Sequence, residues 1–298
     1  MPENDSLQPN EAPKNRTFQK ILFWVIVTVL VAVIIWCLSQ IIYKVVTDAQ
    51  DKGQYDTLAS SKDAATTGPR PTHTTVLTEP TTEPTEPTEP DEEPVNPEQP
   101  DDLPGLEGMI KEYQAMYTLN NDMVGWIEIP GTAIDYPVVQ SPYQTNFYLR
   151  RNFYKEKATC GAIYVREKCD VTKPSDNLTL YGHNMANGTM FGHLHKYKEK
   201  SFWQENKLVY FDTLYEYHTY EIFAVFRTTA DLSKGFSYHT FDDAADEAAF
   251  NAFVNECKRL SMYNTGITPV YGEKLITLST CDRSITDGRL VVVARRVM

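Results

Sequence analysis

Residues 274–281 read KLITLSTC and residues 289–297 read RLVVVARRV. Both are short runs rich in β-branched and apolar residues, and the turn sequence SITDG at 284–288 lies between them. This pattern predicts two neighbouring antiparallel strands, with Cys281 closing the first and Arg289 opening the second. Upstream, LTLYGH at 178–183 ends another apolar run on His183, inside the polar turn YGHNM. A thiol needs partial ionisation to attack an amide carbonyl, and an imidazole can take its proton and later give one to the leaving amine. A guanidinium brought back beside them can stabilise an oxyanion or hold backbone carbonyls of a peptide. Cys281, His183 and Arg289 are therefore the candidate catalytic groups.

Outward from this hairpin, short alternating or apolar runs place further strands near 124–129, 134–139, 161–165, 178–183, 208–212 and 217–226, giving eight with 274–281 and 289–296. Eight strands in about 200 residues favour a mainly β fold, a closed barrel or a sandwich that leaves no exposed edge. Helices are expected at Leu103–Leu119, with Leu106, Ile110, Tyr113 and Tyr117 forming a stripe, at Thr189–Tyr197, and at Asp242–Leu260. The last is acidic at its start and basic at its end, as a helix dipole favours.

The first third of the chain has a different character. Residues 21–43 are apolar apart from Thr28, Ser39, Gln40 and Tyr43, long enough to cross the roughly 30 Å hydrocarbon core of a bilayer. With no small-residue cleavage site after it, the run reads as a retained signal anchor. Lys14, Arg16 and Lys20 precede it, which favours a cytoplasmic segment at residues 1–20 and an exported remainder. Residues 44–103 read as an acidic Thr/Glu/Pro-rich stalk that buries no core, typified by TEPTTEPTEPTEPDEEPVNPEQP at 78–100. In a polyproline II geometry that repeat spans about 70 Å at about 3.1 Å per residue. The globular part is then residues 104–298.

The net charge of −12 sits mostly in the stalk: residues 48–100 carry −9, while 101–298 carry only −4. No basic stripe interleaves with aromatics, so the chain lacks the electrostatic footprint of a nucleic-acid binder. Of the five cysteines, Cys37 falls in the apolar run. Cys160 and Cys169 are spaced for a disulfide, with two reduced thiols as the alternative, and the absence of CxxC argues against a zinc ribbon or a thioredoxin-type site. A metal set of His183, His193 and His195 is disfavoured, because residues two apart on a helix do not face one point.

TLSTC followed eight residues later by Arg289, with YGHNM upstream, resembles the sortase signature. NNDMVGWIEIPGTAIDYPVVQSPYQTNFYLRRNFYKEKATCGAIYV at 120–165 resembles class B sortases in particular, as do GTMFGHL at 188–194 and the long helix before the cysteine strand. The resemblance covers residues 105–296. It implies an eight-stranded sortase-type β-barrel with an N-terminal helix and a helix before the cysteine strand. It implies Cys281 as nucleophile, His183 as general acid and base, and Arg289 as stabiliser of the oxyanion and substrate. The implied reaction cleaves a C-terminal sorting signal of NPxTx type through a thioacyl enzyme and passes the acyl group to a peptidoglycan amine, at the surface of a Gram-positive type cell, with no cofactor or metal required. Tyr181, Asn184, Leu278, Ser279 and Thr280 flank the catalytic groups and are candidate substrate-binding residues, a structural role being the alternative for each. The alternatives in function are a pilus polymerase joining pilin subunits by isopeptide bonds, a plain cysteine protease, and a non-catalytic adhesin. The stalk is longer than the spacer the family leads one to expect.

Overall fold

The computed structural model describes residues 16–66, 68, 70, 105–141, 144–231 and 233–298. The chain divides into two compact units, Met1–Gln50 and Asp51–Met298. In the first, helix α1 (Arg16–Ala65) begins and carries the apolar run. Its described apolar side chains there are exposed apart from the half-buried Val27, and the helix is long and apolar enough to cross a membrane.

The second unit is a closed eight-stranded barrel. In chain order the strands are β1 (Met123–Ile129), β2 (Ile134–Val139), β3 (Ile163–Val165), β4 (Asn177–Tyr181), β5 (Leu208–Thr213), β6 (Thr219–Thr229), β7 (Leu275–Asp282) and β8 (Gly288–Arg296). Around the barrel they run β1-β2-β3-β4-β7-β8-β6-β5, and β5 closes on β1. Two pairs are parallel, β2 with β3 and β4 with β7, and the others are antiparallel. All eight expected strands are present.

β7 and β8 read as continuous apolar runs because both of their faces are covered. One face fills the barrel with Ile276, Leu278, Leu290 and Val292. The other packs Leu275, Val291 and Val293 under α4 (Glu247–Leu260), through Phe250, Phe253, Val254 and Cys257. Phe253 stacks on Phe241 with ring centroids 4.1 Å apart. α4 starts at Asp246, whose carboxylate accepts from the Ala249 N–H at 2.8 Å. It is shorter than expected because residues 242–246 serve as loop and cap.

Three sequence-based expectations need correction. First, residues 44–65 are helical and do not belong to an extended stalk, since α1 continues to Ala65. Asp51, Tyr55, Leu58 and Lys62 are all buried. Their spacing of four, three and four residues makes one helical face. Lys62 bonds Asp135 at 2.7 Å and sits over the Trp126 ring at 5.0 Å. The Pro/Glu repeat at 78–100 lies outside the described residues. Second, helix α2 is Lys111–Leu119 and starts later than Leu103. Gly105 and Gly108 have φ of 83° and 79°, outside the right-handed helical region, and Leu103 and Pro104 are not described. Third, the helix expected at residues 189–197 is instead a 3₁₀ segment, Gly192–Lys198, preceded by Met190 at φ 53°, and the α-helix that follows is α3 (Lys200–Glu205).

Cys160 and Cys169 are both buried, and neither forms a disulfide. Cys169 Sγ donates to Asn177 O, and burial pushes its thiol up to about 12. The reduced alternative is the one present.

Candidate functional site: a thiol, an imidazole and a guanidinium on one rim

The parallel pairing of β4 with β7 sets the site. Tyr181 stands opposite Ser279, so the two strands leave the barrel side by side and in the same direction. Two residues further along each chain are His183 and Cys281. The Gly182 N–H donates to Ser279 O at 3.2 Å, and Thr280 Oγ1 donates back to Gly182 O at 2.8 Å, which ties the two exits together. β8 returns antiparallel, with Arg289 directly across from Cys281. Strand polarity alone therefore delivers all three groups to one rim, where they line a cleft of about 400 Å³.

Each group is held by its surroundings. Cys281 is exposed while the other seven residues of β7 are buried. Its carbonyl oxygen accepts from Asn184 Nδ2 at 3.0 Å and lies 3.1 Å from His195 Nε2. His183 Nε2 lies 2.7 Å from Leu149 O. A carbonyl can only accept, so Nε2 carries the proton and in the neutral ring Nδ1 keeps the free lone pair. Gly161, at φ 60°, makes that bond possible: a Cβ there would stand 2.7 Å from Leu149 O and 3.2 Å from His183 Cδ2. The Arg289 Nη1 donates to Gly288 O at 3.0 Å, and among the described residues no carboxylate pairs with it. Its charge is thus available to the cleft.

Asp282, beside Cys281, is buried and turned elsewhere. It accepts from Arg227 Nε at 2.8 Å and pairs with Lys198 at 3.0 Å. Burial alone would raise its carboxyl, but hydrogen bonds from Ser284 and the Lys198 ammonium hold it well below the usual carboxylate range. It braces the β7–β8 turn and leaves the orientation of His183 to Leu149.

Of the expected substrate-binding residues, Tyr181, Ser279 and Thr280 line the cleft. Leu278 does not, because it points into the barrel with no exposed surface. Asn184 also stands outside the lining and is used on the Cys281 carbonyl. The cleft further contains Asn146, Leu149, Tyr164, Tyr238 and His239, none of them singled out in the sequence. Tyr238 Oη and Ser279 Oγ are 2.6 Å apart, and the Tyr164 phenol is pushed up by burial. Burial and the neighbouring Arg166 hold His239 below the usual imidazole value, so it is neutral near pH 7. No local motif marks these residues, since they arrive from loops that meet only when the barrel closes.

The three histidines weighed as a metal set have separate engagements. His183 faces Leu149 O, His193 Nδ1 accepts from the Ala133 N–H at 2.8 Å, and His195 faces Cys281 O.

The family model for the sortase domain matches residues 127–297. Sortase B of Staphylococcus aureus (strain NCTC 8325 / PS 47) is 31% identical over 187 residues, which are 62% of this chain and 74% of that protein. Sortase B of Listeria monocytogenes is 33% identical over 188 residues, with the same shares. Among solved structures, a Bacillus anthracis protein described as similar to sortase B superimposes with a TM-score of 0.57 at 35% identity, over 64% of this chain and 85% of that one. Clostridium perfringens sortase B gives 0.57 at 32% identity, over 62% and 98%. The Staphylococcus aureus sortase B-substrate complex shares the fold, with a TM-score of 0.65 at 24% identity over 85% and 98%. With its closed eight-stranded barrel and these matches, the chain belongs to the sortase family, in its class B, and is a cysteine transpeptidase.

Proposed function

We propose that Cys281 is the nucleophile, His183 the acid and base, and Arg289 the electrostatic stabiliser of a reaction that attaches exported proteins to the cell wall. The observation that carries this is the convergence of the three groups on one cleft by strand register. The Cys281 thiolate attacks the carbonyl carbon of the Thr in an NPxTx-like signal, and the C–N bond breaks as His183 gives a proton to the departing amine. A thioester remains on Sγ. A peptidoglycan amine then attacks it, His183 takes the amine's proton, and the C–S bond breaks to restore the Cys281 thiolate beside a protonated His183. Arg289 lies across the strand from the thiol, where a fixed cation offsets the negative oxygen of each tetrahedral intermediate. In the same reading, residues 21–43 anchor the enzyme in the membrane with its N-terminus inside, and the catalytic unit faces the wall.

The test uses the full chain in detergent micelles with fluorogenic NPxTx and LPxTx peptides, with and without amine acceptors, followed by intact mass spectrometry. A thioacyl adduct on Cys281 that resolves faster with added amine is the expected result. Cys281→Ala and His183→Ala should abolish cleavage and transfer, and Arg289→Lys should retain only a little activity, because a point charge does not replace the planar fork. Near-normal turnover by Arg289→Ala would remove that residue from its role.

A further inference from the structure

We propose that residues 51–65 of α1 are a working part of the catalytic site, with Tyr55 as a positioning residue for His183. The inference rests on the reading of His183 as the acid and base.

Tyr55 is buried, with 2% of its surface exposed. Its hydroxyl donates to Gly161 O at 2.9 Å and accepts from the Phe153 N–H at 3.2 Å. Those two groups stand at the two ends of the 153–161 loop. The loop folds back on the preceding chain through the Asn152 N–H to Glu156 O and the Ala158 N–H to Arg150 O. One tyrosine from a distant helix thus pins its base. Just before the loop lies Leu149, the carbonyl that fixes the His183 ring. Gly161 lies directly under this bond, close enough that an added Cβ would stand 2.7 Å from Leu149 O and 3.2 Å from His183 Cδ2, so the position of its backbone bears on both groups. Packing this dense transmits small shifts and does not absorb them.

A second chain of contacts reaches the His183 backbone. The Tyr55 ring meets Tyr136 edge-on at 5.5 Å, and Tyr136 Oη accepts from the Met190 N–H at 3.1 Å. Met190 is bridged to Asn184, and the Phe191 N–H donates to His183 O at 3.0 Å. The helix is therefore connected to His183 by two routes, one through the ring's partner Leu149 and one through its backbone carbonyl. Lys62, bonded to Asp135 and within 3.4 Å of Glu128, fixes the rotation of α1 that puts Tyr55 in place. None of these α1 residues touches the cleft.

The test is the full chain in micelles carrying Tyr55→Phe, which keeps the ring and deletes the hydroxyl, with an NPxTx peptide that the wild type cleaves. A misplaced acid and base slows chemistry while leaving peptide binding alone, so kcat should fall about tenfold with KM within about twofold. The limb of the pH profile set by His183 should shift. Unchanged kcat and an unchanged profile overturn the proposal. If Tyr55→Phe does not fold, Lys62→Gln must show the same loss confined to kcat, and wild-type turnover in that folded variant overturns it. His183→Ala serves as the control. Its retention of turnover overturns the acid and base reading beneath the inference, whereas an inactive His183→Ala beside a fully active Tyr55→Phe overturns the inference alone.

Discussion

Cys281 breaks the burial pattern of its own strand: the seven other residues of β7 are buried and this one is exposed. Side chains alternate along a strand, so Ser279 shares its face while Leu278 and Thr280 point the other way. Applied to TLSTC, that parity puts Leu278 on the face of Ile276, which fills the barrel, while Thr280, one step further along that face, reaches the rim. Next along, Asp282 is ionised and buried among Lys198, Arg227 and Ser284. A carboxyl whose value falls on folding stabilises the fold fully above the unfolded value of about 3.9, and that contribution disappears as pH drops through the folded value. Asp282→Asn should therefore lower the melting temperature most near neutral pH, with the gap to wild type closing below about pH 4. Thermal melts across pH 3–8 would show it, and a gap that widens on acidification would contradict the assignment. His183 is legible in the sequence as a polar residue ending an apolar run, but its partner Leu149 O is not, because a backbone carbonyl has no signature there.

At the scale of elements, all eight strands are readable because short apolar or alternating runs are bounded by turn residues. The helices are harder. Residues 51–65 run into the prolines that follow, and the averaged polarity of the whole stretch hides the single face of Tyr55, Leu58 and Lys62. Residues 189–197 carry a helix-like apolar spacing, yet Gly192 lies so close to the Met185 carbonyl that a Cβ would stand 2.9 Å from it, and the segment winds as 3₁₀. α4 is legible from its charge gradient, and its role follows from what it covers. Its Phe253 packs against Phe236 and Phe241 on the outer face of β6, β7 and β8. Phe253→Ala should destabilise the catalytic unit by about 3–5 kcal/mol, read as a lowered midpoint in denaturant. A loss under about 1 kcal/mol would mean that α4 is a peripheral cover.

For the whole molecule, composition separates an apolar run from a globular β region but misplaces where the second unit begins. Asp51, and not residue 104, opens that unit. Arg70 adds a second attachment: its guanidinium bridges the Asp212 carboxylate, which is 2% exposed, and lies over the Tyr210 ring at 4.2 Å. Tyr113 Oη also donates to Asp212 at 2.7 Å. Arg70→Ala would leave a buried carboxylate without its cation, at a cost of about 3–5 kcal/mol, to be measured by chemical denaturation of the full chain. A stability equal to wild type would show the pair to be incidental.

The parallel seam between β4 and β7 has a consequence for how the enzyme comes alive. It joins segments far apart in the chain: Asn184, which braces the Cys281 carbonyl, is 97 residues before it. Contacts of such range form late, after the entropy of closing a long loop has been met. In the proposed reading, an unfinished chain carries the Cys281 thiol without His183 and Arg289 beside it, and the three meet only when the barrel closes. With Cys281 as the proposed nucleophile, folding would act as its safety catch.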